Sequence, residues 1–217
     1  MQNMSILALL FLSLPLAVVH ATDPRAPDTF QVNITTDVPG TVTLNITRAL
    51  APHGADHFYA LVQDKFFDKA AFFRVVPQFV AQFGIAGIPK ENTKWEHNIP
   101  DDPVLASNTA GTLTFATTGE PNSRNTQLFF NTIDNSRLDK MGFAPFGLVT
   151  DGLPVIKKLF DPTPGDDGGI DQNQYVLKGN KWLKKNYPKA NFILSASVLN
   201  EEWFAKEEWF DWRNRDT

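Results

Sequence analysis

Apolar and polar residues alternate strictly over two neighbouring runs near the start of the chain. Phe30, Val32 and Ile34 share one face, and Gln31, Asn33 and Thr35 share the other. Thr41 to Thr47 repeats the pattern, with Val42, Leu44 and Ile46 set against Thr43, Asn45 and Thr47. A period of two predicts half-buried strands. Asp37-Val38-Pro39-Gly40 between them is turn chemistry, so the pair reads as a hairpin. From Ala55 to Asp64 the period changes: Phe58, Leu61 and Val62 fall at i, i+3 and i+4, which predicts a helix. Phe72 to Gly84 (FFRVVPQFVAQFG) then reads as a strand whose apolar run is broken by Arg74 and Gln82. An unpaired buried charge is expensive, so Arg74 is either bonded within the protein or aimed at a ligand.

Ile85 to Val104 reads as irregular. Gly111 to Thr117 and Thr126 to Thr132 read as strands around a polar loop, Gly119 to Asn125. Asn135 to Asp139 is a further loop, and Phe143 to Val149 returns to extended structure. Leu153 to Phe160 predicts a second helix, with Pro154 tolerated in its first turn. Asp161 to Gly169 (DPTPGDDGG) is a loop without the carboxylate spacing of a calcium site. Asn180 to Asn186 predicts a short helix, and Asn191 to Leu199 a last strand. The fold class is therefore mainly β.

Composition narrows the chemistry. The 217 residues, 42% hydrophobic, suit one domain with a sizeable core. A formal charge of −4 offers nothing to nucleic acid or to an anionic membrane surface. The absence of cysteine excludes thiol catalysis, disulfides and thiolate metal sites. Residues 1–21 read as a signal peptide: Ile6 to Val19 is uncharged, mostly apolar and short for a membrane span, and Val19-His20-Ala21 resembles a cleavage site. Met1 to Ser5 departs from that pattern in lacking the usual basic residue, and a membrane anchor is the alternative. Asn33-Ile34-Thr35 and Asn45-Ile46-Thr47 are N-glycosylation patterns whose asparagines lie on polar faces. The tail 200–217 carries Glu-Glu-Trp-Phe twice and three of the five tryptophans. It either packs on the domain or docks a partner. His57 borders the helix's apolar stripe with no serine or carboxylate partner in the pattern, so it receives no catalytic role. Asp101-Asp102 reads as a solvated loop.

Taken together, the motifs resemble the cyclophilin family of peptidyl-prolyl cis-trans isomerases. They are Phe73-Arg74-Val75-Val76-Pro77-x-Phe79-Val80-x-Gln82, Gly111-x-Leu113-x-Phe115-Ala116, Gln127-Leu128-Phe129, Leu138-Asp139 and Phe146-Gly147-x-Val149, in family order across residues 30–199. The QFGIAG and NSRLDKMGFAPFG runs look bacterial in type. The resemblance implies a closed eight-stranded antiparallel β-barrel capped by two helices, with a groove that receives proline. It implies Arg74 as the catalytic arginine, with Gln82 and Phe79 beside it. Val80, Phe129 and Leu138 match the apolar pocket, with Phe143 nearest to a further wall position. Ala116 and Thr117 match the edge that pairs with the peptide, and Gln127 the groove lining.

Three positions depart from the family pattern: Arg137 stands where tryptophan is usual, Phe143 near the usual histidine, and Thr117 at the usual asparagine. The arginine argues against tight binding of the cyclic peptide cyclosporin. The expected activity is prolyl isomerisation in the secretory route or outside the cell, without metal or other cofactor. The partners are proline-containing peptides and unfolded proteins, and the protein is expected to be a monomer. The alternative is a weakly catalytic barrel that binds proline-containing segments or docks through its aromatic tail.

Overall fold

A computed structural model describes residues 23–202. The predicted signal peptide (1–21) and the tail from residue 203 onward, with its tryptophans, lie outside the described residues. β1 (Thr29–Thr36) and β2 (Thr41–Thr47) form the predicted hairpin, in register Phe30↔Ile46, Val32↔Leu44 and Ile34↔Val42. Alternation dictates this: all six apolar residues are 1% exposed or less, while their polar neighbours stay half-buried on the outer face. A 3₁₀ turn (Arg48–Leu50) leads into α1 (Pro52–Gln63), which starts on a proline and buries Phe58, Leu61 and Val62.

Residues 72–84 are not one strand but a hairpin, β3 (Arg74–Val76) and β4 (Val80–Phe83). Pro77 cannot donate to a ladder, and Gln78 takes a left-handed φ of 58° at the turn. Arg74 and Gln82, eight positions apart in the chain, thereby become direct cross-strand partners. β5 (Thr112–Phe115), β6 (Leu128–Asn131), β7 (Pro145–Asp151) and β8 (Ile193–Glu202) complete one antiparallel sheet of eight strands, ordered β3-β4-β6-β5-β7-β2-β1-β8. The sheet curls, and main-chain bonds between residues 69–72 and the start of β8 join its two ends. They include Ile193 N to Ala70 O, 2.8 Å, and Phe72 N to Asn191 O, 2.9 Å. β8 runs past the expected end at Leu199: Asn200, Glu201 and Glu202 pair with Gln31, Phe30 and Thr29.

Four helices are present among the described residues where two caps and one short helix were expected. α2 (Pro89–Lys94) lies in the stretch read as irregular, being too short to show a period. α3 (Leu153–Lys157) ends three residues before the prediction. α4 (Gln172–Asn186) begins eight residues earlier than expected, capped by Asp171 Oδ1 on Gln174 N, and breaks at Gly179. Gly179 has φ 61°, and a side chain there would meet Gly87 O at 2.4 Å. The break thus lets the helix close on the loop before α2.

The main core fills the curled sheet and is rich in phenylalanine. Phe83 stacks on Phe130 with ring centres 5.4 Å apart, and Phe115 on Phe146 at 5.5 Å. A second cluster (Phe73, Ile85, Ile170, Tyr175, Leu183) seats α4 against β3. Its Tyr175 hydroxyl accepts from Ala71 N and donates to Asn180 Oδ1.

Candidate active site

A third, separate apolar cluster lies at the surface. Val80, Phe129 and Leu138 form its floor at 1%, 5% and 5% exposure, with Phe79, Ala116 and Phe143 packed around them. Phe143 meets Phe129 edge-on at 5.6 Å. Each of these six was predicted from the sequence, and the fold gathers them from five segments into one notch.

Arg74 stands at the rim. Its guanidinium carbon lies 5.6 Å from the centre of the Phe79 ring. Nη1 donates to Gln82 Oε1 at 3.1 Å, and Nε donates to the main-chain oxygen of Asp167. Nη2 makes no hydrogen bond among the described residues. Burial lowers the guanidinium's pKa, with Asp167 opposing the shift. An arginine nonetheless stays charged at neutral pH. Gln82, 7% exposed, donates to Gln127 Oε1 at 2.9 Å, and Gln127 donates to Gln172 Oε1 at 3.0 Å. Behind this relay opens a hollow of 510 Å³ lined by Gln82, Ala116, Thr117, Gln127, Gln172 and Asn125 among others.

Ala116 and Thr117 leave the sheet at the end of β5. Ala116 N is taken by Gln127 O at 2.9 Å, whereas the main-chain groups of Thr117 make no hydrogen bond among the described residues. The Thr117 hydroxyl bonds Ser123 Oγ at 2.7 Å, so its side chain braces the loop rather than facing the notch. Arg137 projects beside the notch, its guanidinium 4.7 Å from the Phe79 ring centre and Nη1 bonded to Asn135 Oδ1.

What holds these residues in place leaves no pattern in the sequence. Loop 161–169 packs against Arg74: Ile170 N donates to Phe73 O at 3.0 Å. A side chain at Gly169, with φ 79°, would strike Arg74 Cβ at 2.7 Å. Behind the notch lies a buried polar group. Asn108, fully buried, donates to Asp139 Oδ1 (2.8 Å) and to Phe143 O (2.9 Å), and accepts from Thr114 and Asn131. Asn135 donates to Phe79 O at 2.9 Å. Asp139 also accepts from Ser107. Burial pushes its carboxyl up, but the bonds from Ser107 and Asn108 outweigh this and hold it below the usual aspartate range. Single asparagines in loops carry no period, so pattern alone could not have found them.

Two other readings change. Asp101 and Asp102 are not a merely solvated pair: Asp101 ion-pairs with the buried Arg124, and Asp102 caps α1 by accepting from His53 N and Gly54 N. His57 does have a carboxylate partner, Asp23, whose Oδ2 lies 2.6 Å from its Nδ1 across 34 residues of chain. Asn33 and Asn45 both sit mid-sheet, Asn33 with its Oδ1 accepting from Thr43 Oγ1 at 2.9 Å and Asn45 lining a hollow of 320 Å³.

Comparison with known proteins agrees with this geometry. The model of the family "Cyclophilin type peptidyl-prolyl cis-trans isomerase/CLD" matches residues 31–180. A peptidyl-prolyl cis-trans isomerase of Acinetobacter baylyi is 30% identical over 148 residues, covering 62% of this chain and 73% of that protein. Peptidyl-prolyl cis-trans isomerase A of Dickeya dadantii is 28% identical over 156 residues, covering 67% and 81%. Among solved structures, a Cryptosporidium parvum cyclophilin-type isomerase superposes with a TM-score of 0.59 at 18% identity, over 80% of this chain and 99% of that one, which bears on the fold alone. The match spans most of the described sheet and every segment of the notch, and the chain belongs to the cyclophilin-type peptidyl-prolyl cis-trans isomerases.

Proposed function

We propose that the notch receives a proline ring and that Arg74 drives isomerisation of the preceding peptide bond, in proteins folding along the secretory route or outside the cell. The observation that carries this reading is the half-buried guanidinium, fixed by Gln82 and Asp167 at the edge of an apolar floor. Rotation about an X-Pro bond meets a barrier of about 20 kcal/mol because the amide is conjugated. Uncatalysed exchange takes roughly tens to hundreds of seconds. In the twisted transition state the imide nitrogen regains its lone pair and accepts a hydrogen bond that the planar state cannot. A donor aimed there favours the twisted form, as catalysis requires. Nε and Nη1 are engaged within the protein, which leaves Nη2 to make that bond.

Val80, Phe129 and Leu138 would hold the ring by apolar burial, with Phe79 and Phe143 as walls. Gln82 and Gln127 would hold the peptide backbone, and Thr117 supplies main-chain groups for strand pairing. The Ala-Pro dipeptide present with the Cryptosporidium parvum isomerase is the kind of ligand this notch suits. Arg137 stands beside Phe79 where the family usually has tryptophan, so weak binding of cyclosporin belongs to the same reading.

Removal of Arg74 tests it. Arg74→Ala should lower kcat/KM on a proline peptide about 10²–10³-fold, the effect of losing one preorganised donor. Turnover equal to the parent's would overturn the mechanism. Peptide binding with almost no turnover in the parent would instead favour a binding module.

The secretory assignment rests on the leader pattern and on Asn33 and Asn45. Of the two asparagines, Asn45 is the better glycan acceptor, since Asn33 is held by Thr43 within the sheet. Peptide-N-glycosidase treatment of protein from a eukaryotic secretory host would lower its apparent mass if either site is used.

A further inference from the structure

Outside the proline site, three groups far apart in sequence converge: Asp23 before β1, His57 on α1 and His97 after α2. Their ligating atoms all lie within 4.8 Å of one another. Asp23 stands between the imidazoles, with Oδ2 2.6 Å from His57 Nδ1 and Oδ1 3.8 Å from His97 Nε2. The His57 and His97 rings meet edge-on at 5.1 Å. The His57 side chain is fully buried, and its Nε2 has no hydrogen-bond partner among the described residues. Apolar rings enclose it: Trp95 at 5.5 Å and Phe115 at 5.8 Å.

We infer that Asp23, His57 and His97 form a binding site for one divalent cation of the zinc type. Two imidazoles and a carboxylate are a common zinc set, with bonds of roughly 2.0–2.2 Å. Ligand atoms around such an ion stand about 3.3–3.5 Å apart. The 3.8 Å span from Asp23 to His97 nearly has that spacing, and the 2.6 Å contact to His57 is the one that must open. The cation would replace the proton shared by His57 Nδ1 and Asp23 Oδ2, which leaves to solvent. The side chains of Asp23 and His97 are 14% and 28% exposed, so water can reach the fourth position.

An Asp23–His57 tether explains the 2.6 Å contact, and stacking on Trp95 at 5.7 Å holds His97 beside it. A cation would use all three groups at once. It would clamp the segment ahead of β1, α1 and the α2 loop together, and the His97 carbonyl already holds Asn125 of the groove wall through Nδ2 at 2.7 Å.

The test is titration of the full chain with Zn²⁺ by calorimetry, alongside thermal unfolding. One ion should bind per chain and raise Tm by roughly 5–10 °C at free Zn²⁺ near 100 times Kd. His97→Ala and Asp23→Asn should each weaken binding at least about tenfold. His53→Ala, which removes an exposed histidine outside the cluster, should leave it unchanged. No heat and no Tm rise in the parent, or equal affinity in His97→Ala, would overturn the proposal.

Discussion

The apolar interior of the sheet and the polar layer behind the notch are built on opposite plans. In the interior, neighbours in space are placed by the regular rise of a strand. Phe83 and Phe130 stack because β4 and β6 pair in a fixed register, and alternation delivers every second residue inward. In the polar layer, Asn108, Asn131, Asn135 and Asp139 come from a loop, a strand, a turn and a 3₁₀ segment. They meet only because each satisfies the others. The interior supplies the free energy of folding. The polar layer fixes where Phe79, Leu138 and Phe143 stand, since it bonds the main chain of Phe79 and Phe143 directly. Stability and site geometry are therefore separable in this molecule.

Substitutions can break that separation, beginning with the largest effect. Phe83→Ala removes a fully buried ring in contact with Phe67, Phe72 and Phe130, and should cost about 3–5 kcal/mol of stability by chemical denaturation. Turnover per folded molecule should stay near the parent's, and a large rise in KM would show that the two regions are coupled.

Asn108→Ala strips partners from the buried Thr114 and Asn131 and from the half-buried Asp139 and Phe143 carbonyl. It should cost about 2–3 kcal/mol. Unlike the core change, it should also raise KM for a proline peptide, because Leu138 and Phe143 lose their anchor. Stability loss without a KM change would refute a positioning role.

Asp139→Asn should be the mildest, costing about 1 kcal/mol at neutral pH. Its carboxyl is held below the ordinary range, so its contribution is present above about pH 4 and is lost as pH falls further. In acid titrations followed by circular dichroism, the parent should lose stability below about pH 4 more steeply than Asp139→Asn. Equal slopes would mean that the charge does not matter there.

The legible and illegible parts of the site divide along the same line. Arg74, Phe79, Val80, Gln82, Phe129 and Leu138 could be read because motif and strand pattern locate them. Phe72 to Gly84 was read as one strand, and the hairpin that makes Arg74 and Gln82 partners was missed, since an unbroken apolar run does not say where it folds back. Loop 161–169 reads only as a loop without a calcium spacing, yet Asp167 and Gly169 set the position of Arg74. His57 looked like a solitary helix residue until the fold brought Asp23 and His97 to it.

The sequence by itself determined the faces of the first two strands, α1 and the exclusion of thiol chemistry, because periodicity and side-chain type are local properties of the chain, while the residues of the apolar floor came from the resemblance of its motifs to a known family. Only the tertiary structure decided which polar groups meet: the Arg74–Asp167 bond, the asparagine layer and the Asp23–His57–His97 cluster. Such contacts join loops through closure over dozens of residues. A hydrogen bond depends on distance and direction in space, and no repeat along the chain encodes it.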